Sequence, residues 1–206
     1  MKLCLLTYNL ARGWELPKLI AEARRLGFAA LELRADAKHA HGVELELSKE
    51  QRREVRDRVE DAYLEIACIG TGNRFESPEL ARRQEQIDRV KSFVELASDL
   101  GCGRVRVFGN DMPVGIDREQ AIGYVSESLR QLGEFADPRG VDVLLEMHGQ
   151  FNYWGFARAV LDGRPPPVSA EDGRAALEVI VAAYRSGQEG RPVDLPLVAA
   201  GARRER

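Results

Sequence analysis

The sequence has few cysteines and no cysteine pair at a metal-binding spacing. Its three cysteines, Cys4, Cys68 and Cys102, stand far apart, and each lies in or beside an apolar run. This pattern argues against a disulfide framework and against a zinc finger. It predicts three small buried side chains in a reducing compartment.

Long hydrophobic runs and an excess of basic residues are also missing. The chain has no apolar run of roughly 18 residues, and its first residues lack a small-residue cleavage site, so we expect neither a membrane span nor a secretory leader. The formal net charge is -3 and the pI is about 5.8, which leaves no basic field for nucleic acid or an anionic membrane. We therefore predict a cytoplasmic protein whose partners are small molecules.

A dinucleotide-binding fingerprint is absent as well. The segment Gly70-Thr-Gly72 continues into Asn-Arg-Phe rather than into a third glycine at the start of a helix. Nicotinamide-binding folds need that glycine-rich turn directly before a helix, so we expect no NAD site.

The stretch 140–151, GVDVLLEMHGQF, carries the clearest chemical signal. Its apolar, β-branched start predicts a fully buried strand, and Glu146 and His148 then project from one face because alternate strand residues share a face. A carboxylate beside an imidazole can bind a divalent metal or transfer protons. The alternative is a surface glutamate and a histidine satisfied by its neighbours.

Five strand-then-helix units lead through this stretch. The predicted strands are 2–8, 28–34, 65–70, 104–109 and 141–145, each followed by apolar residues at helical spacing except the last. Ser48 and Gln51 predict a capping box, and Ser77 with Pro78 predicts the start of the next helix. The fourth helix is expected to bury Ile122, Val125, Leu129, Leu132 and Ala136. This order predicts an α/β fold, a partial (β/α) TIM barrel with about five parallel strands.

Polar residues recur at or just beyond the carboxyl ends of these strands, where such barrels build their active sites. They are Asn9, Glu32, Arg34, His39, His41, Asn73, Arg74, Asn110, Asp111, Glu146 and His148. His39 and His41 are alternatively two solvated loop histidines. Arg34, Arg74 and Arg106 could each hold a phosphate or a carboxylate. Because Arg106 lies within a strand, an ion pair with a carboxylate of a neighbouring strand is the preferred interpretation.

The strand-helix rhythm ends after Phe151. A short helix is predicted at 156–161, then a proline-rich break, then a last helix that Ser169 caps and whose apolar stripe is Leu177, Ile180, Val181 and Tyr184. No sixth, seventh or eighth unit is recognisable. We therefore predict a partial barrel at 1–151 and a C-terminal helical tail at 152–206.

Four motifs make residues 1–151 resemble the xylose-isomerase-like barrel family of sugar phosphate isomerases and epimerases, which also includes the apurinic endonucleases. They are LELRAD with HAHGVELELS, IGTGNRFESPE, RVRVFGND and LLEMHGQF. The resemblance implies metal-assisted proton transfer between adjacent carbons of a sugar or keto-sugar, in carbohydrate metabolism. It makes Glu146 a ligand of a divalent metal of the Mn, Mg, Zn or Co type. It places His148 in the pocket, and Glu32, Arg34 and Asn73 at positions that line the substrate site. We take Glu146, His148 and Glu32 as the catalytic candidates. The substrate-binding candidates at the strand ends are Arg34, His39, His41, Asn73, Arg74 and Asn110.

The family takes its other metal ligands, an Asp, a His and a Glu, from strands six to eight. Those strands are missing here, and a single carboxylate holds Mg²⁺ or Mn²⁺ weakly because such ions want about six oxygen-type ligands. The expectation is therefore a weak metal site in this chain alone.

The tail has a resemblance of its own. The segment FARAVLDGRPPPVSAEDGRAALEVIVAAYRSGQEGRPVDLPL is similar to the C-terminal end of the glucose-fructose oxidoreductase and inositol dehydrogenase family. This implies a packing segment without a cofactor site.

Two functional hypotheses remain, with two weaker ones. The first is a sugar isomerase or epimerase. The second is a non-catalytic or assembly-dependent module, because five strands cannot close a barrel, so that either a second copy in a homo-oligomer or the tail helix would have to cover the open edges. An oxidoreductase-associated fragment rests on the tail alone. Nucleic-acid hydrolysis is disfavoured by the acidic pI and by asparagines where the endonucleases place histidines.

Overall fold

The predicted strands pair in chain order into one five-stranded parallel sheet, β1-β2-β3-β4-β5. In this computed structural model the described residues are 2–109, 112–148, 161, 163, 170–191, 193 and 195. The chain divides into two units, residues 1–152 and 153–206, and the sheet lies in the first. The strands are β1 Cys4–Leu6, β2 Ala30–Arg34, β3 Glu65–Arg74, β4 Arg104–Gly109 and β5 Asp142–Met147.

Helices alternate with these strands, as a partial (β/α) barrel requires. They are α1 Thr7–Leu10, α2 Leu16–Arg25, α3 Lys49–Asp61, α4 Leu80–Asp99 and α5 Arg118–Ala136, with a 3₁₀ turn at Asp137–Arg139 before β5. In the second unit, α6 spans Ala170–Glu189. None of the helices among the described residues is long and apolar enough to cross a membrane.

The core lies between the sheet and the helices that follow its strands. Side chains from one face of the sheet are fully buried, among them Leu31, Leu33, Ile69, Val105 and Val107. α4 packs against β3 and β4, and α5 packs against α4 and β5. Because strand side chains alternate between faces, the residues between these positions point to the opposite face. That face carries Glu32, Arg34, Arg106 and Glu146, and we call it the charged face.

The predicted helix signals hold at α2 and α3. α2 ends before Gly27, whose φ of +78° suits a residue without a Cβ, and the amide of Phe28 donates to the carbonyl of Ala23 at 3.0 Å. At α3 the amide of Gln51 donates to Ser48 Oγ at 3.3 Å, and the amide of Ser48 donates to Gln51 Oε1 at 2.8 Å. The capping box is therefore confirmed.

Three predicted boundaries are wrong. β1 stops at Leu6 because Thr7–Leu10 forms the helical turn α1, so Asn9 lies in a helix rather than at a strand end. β3 continues to Arg74 through an irregular register after Gly70, so Asn73 and Arg74 lie within the strand. α4 begins at Leu80 with Glu79 as N-cap, because Arg83 Nη1 bonds the carbonyls of Ser77 and Pro78 and holds them outside the helix.

The two outer strands are more exposed than predicted. β5 pairs with β4 alone among the described strands, and Leu144 is 40% exposed, so β5 is not the fully buried strand that its composition indicates. On the other outer strand Cys4 is exposed, which corrects the expectation of three buried thiols, whereas Cys68 and Cys102 are buried. Both corrections have one cause, because outer strands lack a neighbour on one side.

The apolar stripes of two helices also differ in part. In α5 Val125, Leu132 and Ala136 are buried as predicted, but Leu129 is half-buried and Ile122 is 38% exposed, while Ala121 and Ser128 are buried instead. In α6 Leu177 and Ile180 are exposed, Val181 is half-buried and Ala182 is buried. The predictions for the helix at 156–161, apart from residue 161, and for Ser169 fall outside the described residues, as does the Tyr184 side chain.

Candidate functional site

Arg106 of β4 holds two carboxylates on the charged face. Its Nε donates to Glu32 Oε1 of β2 at 2.7 Å, and its Nη1 bonds Glu146 Oε2 of β5. The side chains of Arg106 and Glu32 are 14% and 19% exposed, and that of Glu146 is 38% exposed. The ion pair predicted between Arg106 and a neighbouring strand is confirmed with Glu146 of β5. The pair with Glu32, on the far side of β3, was not predicted, and it joins the two carboxylates into one cluster.

The cluster depends on Gly70 of β3, which lies between Arg34 and Arg106 in the sheet register. A Cβ at Gly70 would lie 2.8 Å from Arg106 Nη2 and 2.8 Å from Glu32 Oε1. Those distances are far below an ordinary van der Waals contact. The absent side chain therefore lets the Arg106 guanidinium reach across β3.

Gly72 makes the same kind of space for Arg34 of β2. A Cβ at Gly72 would lie 2.8 Å from Arg34 Nη2. Arg34 Nη1 donates to the carbonyl oxygens of Ala35 and Gly70 at 3.0 and 3.1 Å, and the Arg34 amide donates to Thr7 Oγ1 at 2.9 Å. The Arg34 guanidinium thus lies fixed over the carboxyl-terminal half of β3.

His39 and His41 are buried, at 8% and 5% exposure, so the alternative of two solvated loop histidines is wrong. The amide of Val43 donates to His41 Nδ1 at 3.1 Å, and the two imidazole rings meet edge to face with centroids 5.6 Å apart. His39 Nδ1 and His41 Nε2 have no hydrogen-bond partner among the described residues.

Burial changes the protonation of both rings. Desolvation, followed by the neighbouring His39, lowers the pKa of His41 from 6.5 to about 4. Desolvation and the nearby Arg12 and Arg34 also lower the pKa of His39. Both imidazoles are therefore neutral at pH 7, as a hydrogen-bonding role in a pocket would need.

The loop that carries these histidines is closed by Glu44. Its carboxylate accepts hydrogen bonds from the amides of Asp36, Ala37 and Lys38. Asp36 and Lys38 have φ of 62° and 50°, a conformation that non-glycine residues rarely adopt. The bonds to Glu44 hold that conformation in place.

Asn73 and Arg74 line a polar groove of about 760 Å³ beside the amino-terminal end of α4. Asn73 is 1% exposed, its Nδ2 donates to Gln86 Oε1 at 2.9 Å, and its Oδ1 accepts no hydrogen bond from the described residues. Arg74 pairs with Glu76 at 3.5 Å. Gly72 lines the groove too, so the groove reaches the residue against which Arg34 lies.

Glu146 and His148 have different neighbours although they lie two residues apart. Glu146 pairs with Arg106, whereas the exposed His148 meets the Phe108 ring edge to face with centroids 5.4 Å apart. Asn9 is exposed in α1. Asn110 and Asp111 lie outside the described residues.

Gly70, Gly72 and Glu44 are the site-forming residues that sequence reasoning missed. Gly70 and Gly72 are two residues apart in β3 and lie beside arginine side chains of the adjacent strands. A Gly-x-Gly within a predicted strand is a usable signal that a long side chain of a neighbouring strand crosses there. Glu44 gave no signal, because a glutamate in a charged loop is ordinarily solvated.

The described residues do not fit a divalent metal. Among them, no three His, Cys, Asp or Glu side chains lie together as a metal-binding group. One oxygen of Glu146, the ligand that the family resemblance implies, bonds the guanidinium of Arg106. The positive charge between Glu32 and Glu146 is thus an arginine.

A family model described as xylose isomerase-like TIM barrel matches residues 20–179. The match includes β2 to β5 and continues past residue 151, where the sequence predicted the barrel segment to end. None of the curated proteins compared with the chain matches it significantly in sequence.

Solved structures show the same fold at low identity. The IolI protein with a bound zinc atom superposes with a TM-score of 0.60 at 20% identity, covering 70% of this chain and 51% of that one. D-psicose 3-epimerase in the presence of D-fructose superposes with a TM-score of 0.62 at 17% identity, covering 81% of this chain and 61% of that one. D-psicose 3-epimerase from Clostridium cellulolyticum H10 with D-tagatose superposes with a TM-score of 0.61 at 21% identity, covering 73% of this chain and 54% of that one.

This chain thus spans between half and about three fifths of the length of those proteins. The family model nevertheless covers well over half of the chain, and the parallel sheet with alternating helices agrees with it. The chain belongs to the xylose isomerase-like TIM barrel family.

Proposed function

We propose that the chain is a sugar isomerase or epimerase module that moves a proton between adjacent carbons of a sugar or keto-sugar in cytoplasmic carbohydrate metabolism. The observation that carries the proposal is the pair of carboxylates, Glu32 and Glu146, which Arg106 holds on the charged face. The structurally similar D-psicose 3-epimerases support the same class of substrate.

Each carboxylate keeps one oxygen available. Arg106 engages Oε1 of Glu32 and Oε2 of Glu146, and among the described residues no donor bonds the other oxygen of either group. A carboxylate oxygen within reach of a substrate carbon can accept a proton and return it. We assign these proton transfers to Glu32 and Glu146, with His148 as an additional polar group.

Substrate hydroxyls have further partners at the same edge of the sheet. His41 Nε2, His39 Nδ1 and Asn73 Oδ1 are buried polar atoms without a described partner. Such atoms cost free energy unless a ligand or water bonds them. In the proposal they bind hydroxyl groups, with Arg74 and Asn110 as further substrate-binding residues. A divalent metal would take part in the reaction only if residues outside the described part of the chain supplied its ligands.

A second candidate is an assembly-dependent module, favoured by the open sides of the sheet. β1 and β5 each have one neighbour among the described strands, and Leu144 of β5 is 40% exposed. A second copy that covered this face would bury Leu144 and could complete the site with its own side chains. In this version the module acts only as a homo-oligomer.

The direct test is deuterium uptake from D₂O into two neutral ketoses, D-fructose and D-psicose, and into an anionic ketose, D-fructose 6-phosphate, followed by proton NMR at the carbons beside the carbonyl. We expect uptake with the wild-type chain and a loss of about 100-fold or more in Glu146→Gln and in Glu32→Gln. Running the assay with Mn²⁺ and with a chelator separates a metal-dependent from a metal-independent reaction.

Glu134→Gln is the matched control, because Glu134 is an exposed carboxylate of α5 that pairs with Arg130. It should leave the uptake unchanged. The proposal is wrong if the wild-type chain takes up no deuterium in any of these conditions, or if Glu146→Gln takes it up at the wild-type rate.

A further inference from the structure

The guanidinium of Arg34 has no carboxylate partner, in contrast to three arginines on the neighbouring elements. Arg106 pairs with Glu32 and Glu146, Arg74 with Glu76, and Arg89 with Asp36. Among the described residues, no carboxylate forms an ion pair with Arg34.

The two acidic residues whose charges act on Arg34 already have other partners. Asp36 pairs with Arg89, and Glu44 accepts three backbone amides of the loop that follows β2. The strongest charge that acts on Arg34 is instead the like charge of Arg106. Burial, followed by Arg106, lowers the pKa of Arg34.

Arg34 nevertheless has a fixed position with donors to spare. Its Nη1 bonds the carbonyls of Ala35 and Gly70, and Tyr8 lies beside it with the ring centroid 5.8 Å from Arg34 Cζ. Among the described residues, none accepts a hydrogen bond from Nη2 or Nε. A half-buried cation held in one orientation with unused N–H groups lacks an anion.

We propose that Arg34 binds an anionic group of the ligand, a phosphate or a carboxylate, so that the substrate of this site is an anionic sugar rather than a neutral one. The inference rests on the proposed sugar-binding function of the same site. The planar fork of a guanidinium matches both anions, because two parallel N–H groups meet two oxygens. Gly72 is part of this subsite, since its missing side chain leaves the space in which Arg34 Nη2 lies.

The experiment is calorimetric titration of the full chain with inorganic phosphate and, separately, with gluconate, at an ionic strength held constant with chloride. We expect the wild-type chain to bind at least one of the two anions. Arg34→Gln should weaken that binding about tenfold or more, and Arg34→Lys should retain part of it, because an ammonium keeps the charge but loses the fork.

A second variant keeps the arginine and moves it. Gly72→Ala places a Cβ against Arg34 Nη2 and should weaken the binding of the same anion by a similar factor. Gly133→Ala is its control, because a Cβ at Gly133 meets nothing within 4 Å. Arg130→Gln controls for the lost positive charge, since Arg130 lies in α5 and pairs with Glu127 and Glu134. Both controls should bind the anion as the wild type does.

The outcomes separate this inference from the proposed function. Binding of phosphate alone indicates a sugar phosphate, and binding of gluconate alone indicates a sugar acid. Deuterium uptake into a neutral ketose without binding of either anion would overturn the inference and leave the isomerase standing. Anion binding that Arg34→Gln does not weaken also overturns it. If anion binding depends on Arg34 but no deuterium is taken up, the anion subsite stands and the proposed isomerase or epimerase activity is wrong.

Discussion

Arg106 reaches Glu32 across an entire intervening strand, with Arg106 Nε 2.7 Å from Glu32 Oε1 although β3 separates their strands. The contact exists because β3 has no side chain at Gly70, where the guanidinium crosses. An ion pair between strands that are not neighbours ties the sheet together on the face opposite the apolar core.

The first prediction concerns that crossing. Gly70→Ala should break or displace the pair between Arg106 and Glu32, because the new Cβ would lie 2.8 Å from atoms of both side chains. We expect the free energy of unfolding to fall by roughly 1–3 kcal/mol, since the pair is only partly exposed. Urea unfolding measures this. Gly133→Ala in α5 should be neutral or slightly stabilising, and an equally stable Gly70→Ala would contradict the prediction.

A second prediction isolates Arg106 itself. Arg106→Met leaves Glu32 and Glu146 on the same face without their shared cation, and should destabilise the chain by about 2–4 kcal/mol at pH 7. Adding Glu146→Gln and Glu32→Gln to this variant should restore much of the loss, because it removes both unpaired charges. The measurement is a mutant cycle from urea unfolding. Simple additivity of the changes would show that the cluster is not coupled.

The third prediction is a pH dependence caused by His41. Its pKa is about 4 in the folded chain and 6.5 ordinarily, so the folded state binds the proton more weakly than the unfolded state. The stabilisation is therefore complete above about pH 6.5 and is lost as the pH falls towards 4, at most about 3 kcal/mol.

Replacement of that ring gives the test. In His41→Asn an amide oxygen can accept the Val43 amide in place of Nδ1, so the fold should persist at pH 7. Between pH 6.5 and 4.5 its free energy of unfolding should fall less steeply than that of the wild type. The wild type and the variant share all their carboxylates, so the contribution of these groups to the pH dependence cancels when one free-energy curve is subtracted from the other. Parallel curves would mean that His41 titrates alike in the folded and unfolded states.

The fourth prediction compares two serines that the sequence presents as helix caps. Ser48→Ala should cost about 1 kcal/mol, because Ser48 Oγ accepts the Gln51 amide in the capping box of α3. Ser77→Ala should cost less, because α4 begins at Leu80 and the Ser77 hydroxyl accepts the amide of Glu79, which precedes the helix. Thermal or urea unfolding of the two variants measures the difference. Equal losses would contradict the structural placement of the caps.

Sequence patterns predicted what depends on local periodicity. The five strands, their order and the ion pair of Arg106 with a neighbouring strand were predicted because β-branched runs and strand alternation are local properties. The burial of His39 and His41 was not predicted, because it depends on the conformation of the loop after β2, which includes bonds from the amides of Asp36, Ala37 and Lys38 to Glu44 that have no sequence signal. The exposure of β5 was missed for a similar reason, since an apolar run does not reveal whether a further strand will pair with it.

The last prediction concerns β5, which is an outer strand among those that the structure describes. Leu144 is 40% exposed in an outer parallel strand, and an apolar side chain there favours association with a second copy. We expect the molar mass of the wild-type chain from light scattering to rise with concentration. Leu144→Lys should shift that rise to higher concentration, because burying the ammonium in the contact is costly. Lys substitution at Ile122, an exposed apolar residue of α5, is the control and should leave the association unchanged. A wild-type chain that stays monomeric throughout would remove the assembly-dependent version of the function and leave Glu32 and Glu146 to act within a single chain.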